Sequence, residues 1–471
     1  MTKKASVLFF LILAFYVAAE TIVPAKWTVP NQIRRIVKEN VLALSSVASN
    51  ERYPDADTVI IDSVAYESYN SDGTSVVYDD TYTKIMTEKG RRNESTASLY
   101  YNAFYGKVEI IAAEIIKEDG TTLTVDLSSH AKTMIDPGYM GSNIYDPNDK
   151  ILRISYPHLQ IGDIVRLAFK RTNSKARIPG VWSDYQVFET SSPLIKYTYY
   201  ISSPNSLPIK RNVIRDEVPA TIKYYSEPLN TDNERTLHKW DINGVEQYFT
   251  EPNMPPAHTV CQRLLLSTAD KWEDISKWYW NLSKPRLETV TDEMRKTVDE
   301  ILAKSSDEEH NKIWNIYTWV SQNIRYMGVT TETEAPGYEP HNVSETFEKR
   351  YGVCRDKAAL LVAMLRLASI DAYPVLIHVG EKRDKEVPMT FFNHAIVGVR
   401  EKDGTYTLMD PTNENSADLL PAYLSGKSYL VATPEGETLK TSPEVPASAN
   451  MVFAQSKGKI DSAGNLTLEA K

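Results

Sequence analysis

The sequence predicts an α+β chain in three parts: a β-rich, sandwich-like N-terminal domain, an α+β core that opens on helices, and the start of a C-terminal β-domain. Three observations carry this. Short runs rich in Val, Ile, Thr and Tyr recur from Thr58 to about Thr250, and most of the 28 tyrosines lie in the first half. A Pro-rich stretch from Glu251 to Pro256 ends that pattern, and helical spacing takes over. Past Pro443 the pattern changes again, to a hairpin signal that stops at Lys471. The expected organisation is a signal peptide over 1–19, the β-rich domain over 20–255, the core over 256–440, and a linker with the start of a β-domain over 441–471.

The elements follow in order. Lys3 and Lys4 precede an apolar run from Val7 to Ala19, and Val17 and Ala19 satisfy the small-residue cleavage rule. The run is short for a membrane span, and no later stretch reaches spanning length. Export is therefore expected, with a mature start at Glu20, a periplasmic or envelope location and no membrane span after processing. Lys26 to Asn50 reads as a helical or loosely ordered lead-in. Strands Thr58–Tyr69 and Ser75–Thr87 flank an Asn70-Ser71-Asp72-Gly73 turn, and Val108–Lys117 and Thr121–Leu127 flank Glu118-Asp119-Gly120. Further strands are expected at Ile151–Ser155, Ile164–Arg171 and Leu194–Ser202.

Beyond the Pro-rich stretch, Trp272, Ile275, Trp278 and Tyr279 predict a helix over Asp270–Leu282. Helices follow over Val290–Ala303 and Asp307–Ile324, the latter with Asp307 as its N-cap. A long loop from Tyr326 to Arg350 precedes a helix that opens on Cys354 and runs to about Ile370. Strands are expected at Tyr373–Val379, Ala395–Arg400 and Tyr406–Met409, and a last hairpin over Lys457–Ala470.

A formal net charge of -9 argues against a nucleic-acid partner. Asp79-Asp80 and the Asp55/Asp57 pair lack the spacing of a Ca²⁺ loop, and no metal or cofactor is assigned. Export normally brings disulfides, yet the chain has two cysteines, Cys261 and Cys354. A bridge between them is one option. A thiol kept for chemistry is the other.

Cys354 stands in Tyr351-Gly352-Val353-Cys354-Arg355-Asp356-Lys357-Ala358. Gly352 allows a close backbone approach, and a helix start favours a thiolate while its free N–H groups can hold an oxyanion. The apolar Leu360, Leu361, Met364, Leu365 and Leu367 bury the rest of that helix, whereas Asp356 and Lys357 read as a solvated pair. His394 begins a strand in Asn393-His394-Ala395, and Asp410 ends the next in Met409-Asp410-Pro411-Thr412. A thiolate needs a base that later protonates the leaving amine, and an imidazole oriented by a carboxylate does both. Each of the three residues alone has an ordinary packing explanation. Their order, each at an element end, points to catalysis. His378 reads as a packed strand residue; Tyr326, Tyr338, His341 and Asn393 are candidates for the cleft wall.

These three motifs resemble the transglutaminase-like superfamily over about Asp270 to Thr433. The resemblance implies a papain-like fold with the catalytic order Cys354, His394, Asp410. The β-rich part resembles the uncharacterised domain that precedes such cores in bacterial envelope proteins. The expected function is thiol-dependent acyl transfer on peptide-like amides, with peptide, protein or envelope components as substrates and hydrolysis as the outcome. Crosslinking by transamidation and a non-catalytic binding scaffold are the alternatives.

The triad fixes the turn between its last two members. A two-residue Asp403-Gly404 turn would place Asp410 opposite Val397, on the wrong face for His394. A three-residue loop with left-handed Gly404 pairs Glu401 with Thr405 and places Asp410 opposite Ile396, on the face of His394.

Overall fold

The computed structural model describes residues 22–215, 221–252, 254, 260–415, 418–446, 448 and 451–470. The signal segment 1–19 lies outside the described residues, as do Pro255 and Pro256 of the Pro-rich stretch.

Alternating Val, Ile, Thr and Tyr residues build one eight-stranded sheet. Its order is Ile222–Leu229, Asp232–Val245, Leu194–Pro204, Thr58–Tyr69, Ser75–Ile85, Ile164–Asn173, Gly106–Ile116 and Thr122–Thr124. Thr58–Tyr69 and Leu194–Pro204 pair in parallel, and the other neighbours are antiparallel. Two three-stranded sheets cover one face. Ser183–Val187, Arg263–Ser267 and Arg211–Arg215 form the first, where Trp182, Leu264 and Leu266 pack on Ala65, Tyr69 and Tyr199. Thr96–Asn102, Asp149–Ser155 and Ala131–Ile135 form the second, where Leu99, Leu152 and Ile154 pack on Val108, Ile110 and Val165. The opposite face is closed by the lead-in. Trp27, Val29 and Ile33 lie against Tyr66 and Tyr78, and Val41 of the helix Lys38–Val47 lies against Val59 and Ile61.

In the second half the central helix Cys354–Leu367 packs on a five-stranded antiparallel sheet. The sheet order is Tyr406–Met409, His394–Arg400, Ala372–Ile377, Ser428–Val431 and Lys440–Thr441. Helices Trp272–Leu287, Asp292–Leu302, Glu309–Asn323 and Val343–Lys349 complete the shell around a single apolar core. The first of these outruns its predicted end and continues through Pro285, because Leu287 is drawn into that core. Thr291 caps the second by accepting the Met294 N–H. The third begins later than expected, with Glu308 rather than Asp307 at the cap position. Asn311 Oδ1, which accepts the Ser306 N–H at 2.8 Å, holds its entry instead. No helix among the described residues is long and apolar enough to cross a membrane. The hairpin Ser456–Ile460 with Leu466–Ala470 forms as expected.

Asp356 and Lys357 are not a solvated pair: they are 1% and 0% exposed. Lys357 Nζ donates to the carbonyls of Ser321 (3.1 Å) and Ile324 (2.6 Å), at the C-terminal end of the helix Glu309–Asn323. Lys357→Ala strands both carbonyls and opens a void, so it lowers unfolding stability by about 3 kcal/mol, read from the denaturant midpoint. Burial also pulls the Lys357 ammonium down to about 8. Between about pH 8 and the ordinary lysine value the unfolded chain therefore holds the extra proton, and stability rises with pH across that window.

Candidate active site

Cys354 takes the first position of the central helix, with Val353 at the cap. The turn that presents it is braced by Asp356, whose Oδ2 accepts the Val353 N–H at 3.0 Å while the Val353 carbonyl accepts the Asp356 and Lys357 N–H groups. Gly352 is required here, since a Cβ on it would lie 2.6 Å from the Cβ of Asp356. The thiol is partly exposed; Cys261 is buried, and both cysteines are free, so the bridge does not form.

His394 opens its strand and Asp410 follows directly on the end of the next. The register pairs Val397 with Met409 and Arg400 with Tyr406. Glu401 N–H bonds the Thr405 carbonyl, and Gly404 sits at φ +84°. This is the three-residue loop, and it puts both side chains on one face. His394 Nε2 lies 3.0 Å from Asp410 Oδ2.

Asp410 is fully buried and well supplied with donors: the Thr412 N–H (3.0 Å) and hydroxyl (2.7 Å) on Oδ1, and the Tyr423 hydroxyl (2.6 Å) beside His394 on Oδ2. Burial would raise its carboxyl, but the bonds from His394, Tyr423 and Thr412 outweigh that and hold it below the ordinary value. Burial likewise disfavours a charged His394. The bond to Asp410 and the adjacent Cys354 sulfur overcome this and raise the imidazole to about 10. The pair is thus set up as imidazolium beside an anion.

The cleft candidates separate. Arg325–Tyr326 pairs in parallel with Tyr351–Gly352, which brings Tyr326 to Cys354. Its hydroxyl meets both the sulfur and the backbone of Cys354, and burial together with that sulfur pushes its pKa well up. Tyr338 is instead a buried strut whose hydroxyl donates to the carbonyls of Thr390 and Phe392, fixing the loop that leads to His394. His341 is turned away from His394. Its N–H (2.9 Å) and Nδ1 (3.2 Å) hold Asp356 Oδ1, and Nε2 reaches Thr331, beside a cavity of 50 Å³ that excludes the other three residues. Asn393 clips the neighbouring strand end, bonding both the N–H (2.7 Å) and the carbonyl (2.9 Å) of Val379. His378 is packed and bonded by Arg383.

The β-rich half grips the same loops: Tyr105 donates to the Pro336 carbonyl at 2.9 Å, and Ile144–Tyr145 pairs with Gly328–Val329. Arg355 donates to the Glu339 carbonyl and pairs with Glu332, tying the long loop to the helix start. Sequence reasoning assigned no part to Tyr423, which no periodicity links to Asp410. The role of Thr412 was readable, since an Asp two residues before a Thr commonly accepts its N–H. No group of three or more His, Cys, Asp or Glu side chains among the described residues is placed to hold a metal ion.

Comparison with known proteins adds to this geometry. Residues 295–411 match the model of the transglutaminase-like superfamily, and residues 71–248 match a domain of unknown function, DUF3857. A protein from Parabacteroides distasonis described as a putative protease superposes with a TM-score of 0.64 at 15% identity, over 82% of this chain and 72% of its own. That likeness shows a shared fold. One described as a putative cysteine protease from Cytophaga hutchinsonii aligns over 62% of this chain and 88% of its own, at 16% identity and a TM-score of 0.24. No curated protein matches the chain. The second half of this chain therefore carries a transglutaminase-like core, preceded by a DUF3857 domain.

Proposed function

We propose that the protein is an exported thiol-dependent hydrolase of peptide-like amides, with Cys354 as nucleophile, His394 as acid and base, and Asp410 as the residue that orients it. The observation that carries this is the 3.0 Å bond between His394 Nε2 and Asp410 Oδ2, with the Cys354 sulfur acting on the same ring.

The thiolate attacks the amide carbonyl carbon, and the oxyanion is received by N–H groups at the helix start and by the Tyr326 hydroxyl. The imidazolium gives its proton to the leaving amine as the C–N bond breaks, leaving a thioester on Cys354. His394 then takes a proton from water, whose oxygen displaces the sulfur and releases the acid. Asp410 keeps the ring in place through both halves without itself gaining a proton.

Resolution by water is favoured because it needs no acceptor pocket at the sulfur. With an amide substrate and excess labelled primary amine, mass spectrometry should find mainly free acid. Predominant amine adduct at millimolar amine overturns hydrolysis in favour of transamidation. Export rests on the run from Val7 to Ala19. The N-terminus of secreted protein should read from Glu20, and an intact Met1 in membranes would count against cleavage and favour an uncleaved membrane anchor.

A further inference from the structure

A cavity of 1060 Å³ lies between the covered face of the eight-stranded sheet and the two small sheets, and Thr390 and Phe391, which precede His394 in the chain, also line it. We propose that this cavity binds the ammonium of a lysine-type side chain on a peptide substrate. That it serves a substrate rests on the amide-hydrolase reading; the ammonium binding itself does not.

The floor is anionic. Glu67 and Asp79 project from one face of neighbouring strands, where Ala65 pairs with Asp79. Asp184 joins them from the small sheet. The Tyr199 hydroxyl donates to Asp184 Oδ2 at 2.7 Å and lies 3.3 Å from Glu67 Oε2, so two carboxylates share it, and Gln186 Nε2 also donates to Asp184 Oδ2 at 2.8 Å. Trp182 Nε1 holds the other Glu67 oxygen at 2.8 Å. Asp79 accepts one bond, from the Thr81 hydroxyl at 3.0 Å, and its second oxygen has no hydrogen-bond partner among the described residues.

Basic side chains share the lining, but none makes an ion pair or hydrogen bond with these three carboxylates among the described residues. Arg171 donates to the Tyr100 carbonyl at 2.9 Å and acts on Glu67 and Asp79 through space, without an ion pair to them among the described residues. Lys107 pairs with Glu109, Lys175 lies over the Phe104 ring, and Arg177 lies over Tyr105 and Tyr338. Lys150 stands on the lining too, on the side of the second small sheet. The three floor carboxylates thus have no directly bonded cation among the described residues, with Arg171 acting on two of them from a distance. Burial accordingly raises Glu67 and Asp79 to about 7 each, with Asp184 adding to the rise at Glu67.

The remaining walls identify the cation. Tyr100 and Tyr197 add aromatic rings to the lining, which suit an ammonium on an alkyl stem by cation–π attraction and by apolar contact, and Phe391 already carries the Arg383 guanidinium over its ring. A bare metal ion would find no cluster of three ligands among the described residues. The volume is of the size that holds several linked residues, and Phe391 on its lining belongs to the segment that runs on to His394 in the chain.

The test is calorimetric titration of the full-length Cys354→Ala protein with an end-blocked alanine-lysine-alanine peptide and its norleucine counterpart. The lysine peptide should bind and the norleucine peptide at least tenfold more weakly. Asp79→Asn and, separately, Asp184→Asn should each weaken the lysine peptide about tenfold, in variants whose circular dichroism and melting match the parent. Equal binding of the two peptides, no binding of either, or unchanged affinity in both folded variants overturns the proposal. Iodoacetamide labelling of Cys354 in the wild type is scored in parallel. Rapid labelling without peptide binding sinks the ammonium site alone, and peptide binding without labelling sinks the hydrolase reading alone.

Discussion

Cys354→Ala abolishes turnover and thiol labelling and leaves the melting transition in place. The expected loss in kcat is on the order of a millionfold, because removing the nucleophile removes both halves of the reaction. The fold survives because the thiol is partly exposed at the first helical position, while the packing of that helix is carried by the buried run from Ala358 to Leu365. The variant also reports on the site electrically. The sulfur is one of the groups that raise His394, so without it the imidazole resonances titrate at lower pH than in the wild type. If Cys261→Ala instead kills activity while Cys354→Ala is active, the nucleophile has been misassigned.

Asp410→Asn should lower kcat by about ten-thousandfold, with a smaller change in KM. An amide can turn its oxygen toward His394 and Tyr423 or toward Thr412, but not toward both, so one set of donors meets an NH₂ group, and in either orientation the imidazolium loses its anion. The same mismatch lowers stability by about 1–3 kcal/mol. The pH profile separates catalysis from stability. In the wild type the leaving amine takes its proton from imidazolium, so kcat/KM falls as pH rises through about 10. Replacing the carboxylate removes a group that raises His394, and the alkaline limb of the residual activity moves to lower pH. An unmoved limb would mean that Asp410 does not act on His394.

The chemistry of the second half was legible because it is written locally. Gly352, Cys354 and the apolar run behind them specify a helix start with a buried body. The period of two along the strands, together with the demand that His394 and Asp410 share a face, selects the three-residue loop over the two-residue turn that Asp403-Gly404 alone would favour. The alternation of the first half likewise determined that strands form and where its early turns fall. It could not determine that Leu194–Pro204 lies parallel beside Thr58–Tyr69, since that choice depends on which faces can be buried together across the fold. Lys357 looked solvated because its neighbours are charged; its burial was decided by carbonyls at the end of another helix, which supply the bonds that water would have given. Tyr338, His341 and Asn393 were equivalent candidates in sequence, and only tertiary packing made them a strut, a brace for Asp356 and a strand clip. Tyr423 carries no local signature, and of the acidic cavity the sequence showed only the Asp79-Asp80 pair: each exists because the chain brings distant backbone segments to within a few ångströms, and a hydrogen bond or a buried charge is fixed by that approach rather than by the residues on either side.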